Sequence, residues 1–322
     1  MRYVVFGAGA VGGAIGGRLF EHGHEVVLIA RGPHLEALRA RGLELRSPDA
    51  AVTLPIPAVD GPGRVGFGPD DVVLLATKSQ DTAAALDALR AVSREDLPVV
   101  CAQNGVDNER MALRSFARVY GMCVMLPASH LEPGVVEVNS SPVTGILDLG
   151  RLPSGTDDVA RRMAADLEAS SFSSRPDPAI MRQKYAKLLM NLGNALEAAS
   201  GTEARGGELY ARARAEGEAC LLAAGIDFAS RDEDRARRGD LLRLRPVDGR
   251  RRLGGSSWQS LSRATGAIEA DYLNGEIVLL GRLHGVPTPV NELLRTVANR
   301  MARQRSAPGS VSIDDLLNVL LG

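Results

Sequence analysis

The sequence predicts an α/β Rossmann-type N-terminal domain followed by an all-α C-terminal domain. Three observations carry this. An apolar run at the start of the chain leads directly into Gly7-Ala-Gly9-Ala-Val-Gly12 and then a helical pattern. Short continuous apolar runs then alternate with helical periodicity as far as about residue 170. Beyond that point one helical pattern follows another. With 322 residues there is length for two domains, which we divide at 1–172 and 173–322.

Residues 2–6 (Arg-Tyr-Val-Val-Phe) read as a short buried strand, and a helix runs on to about Phe20. Between them, Gly7 permits a tight turn and Gly9 lets the backbone approach a pyrophosphate. Gly12 lets the helix lie close on the strand. Ala8, Ala10 and Val11 complete the turn, and the helix N-terminus offers N–H groups and partial positive charge to phosphates. Met1-Arg2-Tyr3 could open a secretory signal, but Gly7, Gly9, Gly12, Gly13, Gly16 and Gly17 would weaken its apolar helix. Residues 24–29 form the second strand and end at Ala30-Arg31-Gly32. No carboxylate stands there to take a ribose 2′-hydroxyl. Arg31 suits a 2′-phosphate, so the expected cofactor is NADPH rather than NADH. The plainer reading of Arg31 is a solvated loop residue.

Asp71–Ala76 is a continuous apolar strand of the parallel, doubly covered kind. Thr77-Lys78-Ser79-Gln80-Asp81-Thr82 follows it, and then a helix through Arg90. Pro98–Ala102 is the next strand and leads to Gln103-Asn104-Gly105. Both loops lie at carboxyl ends of parallel strands, where open α/β sheets bind ligands, so Lys78 and Asn104 belong beside the cofactor. Asn-Gly is also an ordinary turn dipeptide. Residues 118–150 read as further strands and 155–169 as a helix. Ser170–Pro178, rich in Ser and Pro, reads as the interdomain connection.

In the second domain, 181–200, 207–224, 264–283 and 288–303 show helical periodicity. The Arg- and Asp-rich stretch 230–252 reads as a solvated face. Lys187 and Asn191 are four apart and share a helix face, which Asn194 joins. They sit among Leu188, Leu189, Leu192 and Leu196, where an amide needs a bonding partner in the protein or in a ligand. Ser257 opens a helix, as its cap or as a ligand contact. Glu269 and Asp271 face different ways on any helix. A cleft between the domains is the default ligand site.

Of 38 basic residues only three are lysines, Lys78, Lys184 and Lys187; the rest are arginines. A lysine kept in that background suits a place where a fixed cation will not serve, because lysine can give up a proton, and the plainer reading is three leftover surface positions. The composition is globular, at 45% hydrophobic and 24% charged, and the net charge of −1 argues against a nucleic-acid footprint. Cys101, Cys123 and Cys220 are far apart, have no metal-binding spacing, and fit a reducing cytoplasm. No apolar run is long enough to span a membrane.

In order, the motifs are the glycine turn, Arg31, Lys78, Asn104-Gly105, Lys187-x-x-x-Asn191, Ser256-Ser257 and Glu269-x-Asp271-Tyr-x-Asn274-Gly275. This order and spacing resemble the ketopantoate reductase (2-dehydropantoate 2-reductase) family over residues 1–296. The resemblance implies an NADPH-dependent oxidoreductase that reduces a 2-keto acid, ketopantoate, to pantoate in pantothenate biosynthesis. It implies that Gly7, Gly9 and Gly12 hold the pyrophosphate and Arg31 the 2′-phosphate, with Lys78 and Asn104 beside ribose and nicotinamide. Lys187 becomes the general acid, Asn191, Asn194 and Ser257 hold the keto acid, and Glu269 completes the site. No metal, nucleic acid or membrane is expected, and a homodimer is allowed. Trp258 and Ser260 stand where the family usually has Met and Asp. Asn194 lies seven residues after Lys187 where the family often has eight. These differences gather in the substrate half. The alternatives are a relative acting on another small keto or imino substrate, and a dinucleotide-binding sensor without turnover.

Overall fold

Six parallel strands and one antiparallel edge strand build the main sheet. Its spatial order is Ile146–Arg151, Val119–Met125, Val99–Cys101, Asp71–Leu75, Arg2–Phe6, Glu25–Ile29, Ala58–Val59. The structure, a computed structural model, describes residues 1–321. It forms two compact units. The first holds Met1–Lys184 and Arg231–Arg252; the second holds Tyr185–Ser230 and the chain from Leu253 onward. The expected boundary at 172/173 therefore falls inside the first unit.

The continuous apolar strands follow from burial on both faces of the sheet. Tyr3, Val5, Leu28 and Leu74 face one apolar cluster, while Val4, Ile29, Val73 and Leu75 face another. Strand order reverses between Arg2–Phe6 and Asp71–Leu75, whose carboxyl ends flank the crevice where such sheets bind ligands. A second, four-stranded sheet is built from Leu43–Arg46, Ala51–Leu54, Val135–Val138 and Ala128–Ser129.

The helix Ala10–Glu21 lies between the two sheets, which explains glycines beyond the GxGxxG motif. A Cβ on Gly12 or Gly16 would press on Val5 at 2.8 and 3.1 Å, toward the main sheet. On Gly13 it would meet Val136 at 2.8 Å, and on Gly17 Leu43 and Leu45 at 3.2 Å, toward the second sheet. Two adjacent stripes, Gly12 with Gly16 and Gly13 with Gly17, each pairing glycines four residues apart, thus let one helix touch two sheets at once.

Two sequence expectations fail in this unit. Ser170–Pro178 is no free connection. Its backbone runs along the edge strand, with Leu147 N–H donating to Ser173 O at 2.9 Å and Asp177 N–H to Leu149 O at 2.8 Å. Proline and serine suit such an edge, which needs few ladder donors on its outer side. The 230–252 stretch is not a plain solvated face either. On the helix Arg231–Arg238, the Arg237 guanidinium grips Asp148 with two bonds of 2.6 Å. Leu242–Leu244 then pairs with Ser140–Pro142.

The second unit is helical: the C-terminal part of Ile180–Asn191, then Gly193–Ser200, Glu208–Ala223, Ser256–Ser262, Asn274–His284, Pro289–Gln304 and Ile313–Leu321. Where one helix was expected over 181–200, the structure breaks it at Leu192. A Cβ on Gly193 would lie 3.0 Å from the Tyr210 ring. Where a helix was expected over 264–283, a 3₁₀ turn, Glu269–Tyr272, precedes Asn274–His284. No helix of the described residues is long and apolar enough to cross a membrane.

Candidate active site

Strand Arg2–Phe6 ends in a turn whose three glycines differ in kind. Gly7 has φ +102°, a conformation that side chains rarely adopt, and a Cβ there would stand 2.8 Å from Thr77 N. A Cβ on Gly12 would lie 2.2 Å from Gly7 O. Around the Cβ direction of Gly9 there is nothing within 4 Å. The turn is therefore closed on its protein side and open at Gly9, the N-cap of Ala10–Glu21. Among the described residues no side chain caps that helix. The N–H groups of its first turn, at Ala10, Val11 and Gly12, are placed for an anion. Ala8 is buried behind the opening. A dinucleotide pyrophosphate fits this cradle.

Arg31 ends the neighbouring strand and is the N-cap of Gly32–Arg41. Its side chain is 86% exposed, and Nη2 lies 3.4 Å from Asp81 Oδ1. Lys78 precedes the 3₁₀ turn Ser79–Asp81, in the loop after Asp71–Leu75. Asn104 lies in the loop after Val99–Cys101, ahead of Gly105 at φ +81°. The glycine turn, Arg31, Lys78 and Asn104 thus come from four neighbouring strands, all at their carboxyl ends.

Buried amides that the sequence reading passed over hold these loops in place. Gln103 Nε2 donates to Thr77 O and to Thr82 Oγ1, both at 2.8 Å. Asn108 Nδ2 donates to Asn104 O at 3.0 Å and to Ser79 Oγ at 3.2 Å. Lys184, the lysine outside every motif, is 3% exposed. Its Nζ donates to Gln103 O at 2.9 Å and pairs with Glu109 Oε1 at 2.5 Å. Burial pushes the Glu109 carboxyl above its ordinary pKa, and the Lys184 charge opposes that rise. The scarcity of lysine was the only sequence signal for this pair.

In the helical unit, Lys187 lies half-buried on Ile180–Asn191, and Asn191 ends that helix at 3% exposure. Asn194 is likewise buried but belongs to the next helix, beyond the break. Asn274 supports the break by donating to Leu192 O at 3.0 Å and to Asn291 Oδ1 at 3.0 Å.

Ser257 is buried within the first turn of Ser256–Ser262, whose N-cap is Gly255; the expectation of Ser257 as a cap fails. Glu197, also unforeseen, ties the helix Gly193–Ser200 to the turn before Ser256–Ser262. Its Oε1 accepts from Gly255 N–H at 3.1 Å, and its Oε2 pairs with Arg205 Nη1 at 2.8 Å. A Cβ on Gly255 would stand 3.7 Å from Asn194 Oδ1, so the Asn194 helix and the Ser257 turn meet here. Trp258 packs its ring over Gly254, where a Cβ would lie 2.5 Å from Cγ. Ser260 Oγ donates to Ser256 O at 3.0 Å. Glu269 is 5% exposed, while Asp271 faces outward toward Asn299 at 2.8 Å. Arg263, at the end of the Ser257 helix, has its pKa lowered by burial and raised in opposition by the Glu269 charge. No cluster of metal-ligating side chains occurs among the described residues.

Comparison with known proteins shows the family of the chain. Residues 3–153 match the family model "Ketopantoate reductase PanE/ApbA", and residues 179–302 match that of its C-terminal part. The chain belongs to the ketopantoate reductase PanE/ApbA family. It is 29% identical over 302 residues to a 2-dehydropantoate 2-reductase of Pyrococcus horikoshii, covering 91% of this chain and 95% of the relative. A 2-dehydropantoate 2-reductase of Mycobacterium tuberculosis is 28% identical, with 89% and 93% covered. The crystal structure of a ketopantoate reductase from Ralstonia eutropha superimposes with TM-score 0.79 at 27% identity, covering 95% and 99%. A D-mandelate dehydrogenase with NADH and anilino(oxo)acetate superimposes with TM-score 0.78 at 22% identity, covering 95% and 100%, which shows the shared fold alone.

Proposed function

We propose that this chain reduces 2-dehydropantoate (ketopantoate) to pantoate with NADPH. It is an oxidoreductase of its family and uses a nicotinamide dinucleotide. The observation that carries the reading is the glycine turn, closed at Gly7 and Gly12 and open at Gly9. The chain around it is matched in both halves by the family models. Arg31 would take the 2′-phosphate by charge-assisted hydrogen bonds, and Lys78 and Asn104 would orient the ribose and nicotinamide. The three cysteines carry buried thiols, in keeping with a cytoplasmic enzyme.

When bound, the nicotinamide supplies a hydride to the ketone carbon. Negative charge then grows on the ketone oxygen. The Lys187 ammonium stabilises that charge and donates the proton that makes the hydroxyl. An arginine would stabilise the oxygen but is a poor acid. Asn191, Asn194 and Ser257 would hold the substrate's carboxylate or hydroxyl with neutral hydrogen bonds, and Glu269 would complete the polar surround. Trp258 and Ser260 shape the substrate side, and a small keto or imino substrate other than ketopantoate is the second reading they allow.

The test is NADPH oxidation, followed by absorbance, against ketopantoate, 2-ketoisovalerate, pyruvate and benzoylformate. Ketopantoate should give the highest kcat/KM. A tenfold preference for another acid would replace the substrate assignment, and no oxidation with any of them would overturn the reading.

A further inference from the structure

His34 lies two residues beyond the Arg31-Gly32 pair, and the cofactor reading gave it no task. Its ring is fixed on both sides by main chain. Nδ1 receives the N–H of Gly134 at 2.9 Å, and Nε2 lies 2.7 Å from Ala8 O. A backbone N–H can only donate and a carbonyl can only accept. Nδ1 must therefore be the bare nitrogen, and Nε2 must carry the proton. The structure thus selects one neutral tautomer.

The carbonyl that His34 holds belongs to the glycine turn. In a trans peptide the C=O of one residue and the N–H of the next point in opposite directions. Holding Ala8 O against the His34 ring aims the Gly9 N–H the other way, away from the ring, and the Cβ direction of Gly9 is itself open. Gly13 makes room for this arrangement, since a Cβ there would stand 3.0 Å from Ala8 O. We propose that His34, as its neutral Nε2–H tautomer, is a positioning residue that sets the Ala8–Gly9 peptide for the dinucleotide pyrophosphate and releases it on protonation. This rests on reading the glycine turn as the dinucleotide site.

A proton on Nδ1 would face the Gly134 N–H, two donors with no acceptor between them, so the ring must turn away. Burial already holds the His34 pKa below its ordinary value, and the bond to Ala8 opposes this. The charged and titratable groups on the elements packed around the ring are few. His130 is 4.2 Å away between ring centroids and directs Nδ1 to Val135 O at 3.0 Å. Arg41, on the same helix as His34, donates to Pro133 O at 2.6 Å. Glu132 is exposed in the intervening turn, and on the adjoining strand Glu44 pairs with Arg46 at 2.7 Å. His130 is thus the other imidazole beside the ring.

Isothermal titration of NAD⁺ into the whole protein and into His34→Gln, His34→Phe and His130→Gln tests this from pH 5.5 to 8. NAD⁺ lacks the 2′-phosphate, which would itself titrate there. At pH 7.5 His34→Phe should bind about tenfold more weakly, the worth of one lost hydrogen bond at the site. Wild type and His130→Gln should lose affinity toward the acid end of that range, and His34→Gln should not. Nitrogen NMR of the cofactor-free wild type should show the proton on Nε2 of His34, which needs no variant to fold. A proton on Nδ1, or unchanged affinity and pH slope in both His34 variants, would overturn the proposal. Wild type that binds neither NAD⁺ nor NADP⁺ would overturn the dinucleotide reading itself and this inference with it.

Discussion

Replacing Lys184 with Met should damage the N-terminal unit far more than a surface substitution would. Lys184 Nζ and Glu109 Oε1 are 2.5 Å apart, with side chains 2% and 0% exposed. Removing the ammonium leaves a carboxylate in an apolar setting, and breaking a buried pair from one side costs about 3–5 kcal/mol. It also strands the carbonyls of Gln103 and Met122, both of which accept from Nζ. For a unit of roughly 200 residues, at ~2–4 °C per kcal/mol, Tm should fall by about 6–20 °C.

The loss should depend on pH with a definite sign. Burial raises the Glu109 pKa, and Lys184→Met removes the ammonium that chiefly opposes the rise. The folded variant then holds a proton that the unfolded chain releases near its ordinary value of about 4.3. Stability therefore declines as pH rises from there toward the raised folded-state value. The gap to wild type should be smaller at pH 5 than at pH 8. The assay is scanning calorimetry of wild type, Lys184→Met, Glu109→Leu and the double variant. The double variant removes both charges and should regain at least about 2 kcal/mol relative to the summed single losses. A Lys184→Met loss under about 1 kcal/mol, or strictly additive singles, would refute the reasoning.

Other consequences are open to direct measurement. Arg31→Asp should raise the Kd for NADPH at least about tenfold and leave that for NADH nearly unchanged, read by cofactor fluorescence. An unaltered preference removes Arg31 from the 2′-phosphate site. Glu197→Ala frees the Gly255 N–H and the Arg205 guanidinium, so KM for the keto acid should rise about tenfold while NADPH affinity stays. Arg237→Met strands Asp148, which is 6% exposed, and should lower Tm by several degrees in calorimetry, with buried-pair losses of about 3–5 kcal/mol as the upper bound.

The dinucleotide half was legible because its chemistry is local. Gly7, Gly9 and Gly12 lie within six residues, and the strands flanking the site are unbroken apolar runs. Its supports were not legible, because their partners are distant. Lys184 and Glu109 are 75 residues apart, and His34 meets Gly134 across 100. Scarcity marked Lys184 as unusual but could not supply the carboxylate. The 230–252 stretch misled for a related reason. A charged residue that grips a buried Asp148 and one that faces water look alike in a helical pattern. Periodicity also ran through Leu192 and Gly193, because the break there depends on Tyr210 packing and on Asn274 bonding a carbonyl. In the helical unit, Lys187-x-x-x-Asn191 was readable as a spacing, whereas Glu197 looked like one more helical carboxylate.

The central claim is that a lysine ammonium on the helical unit protonates the reduced ketone. Steady-state turnover of ketopantoate by Lys187→Ala, with NADPH binding measured on the same preparation, tests it most directly. Loss of a general acid should lower kcat by about 10²–10⁴ and leave the NADPH Kd within threefold. A kcat within tenfold of wild type, with the cofactor bound, would contradict the account.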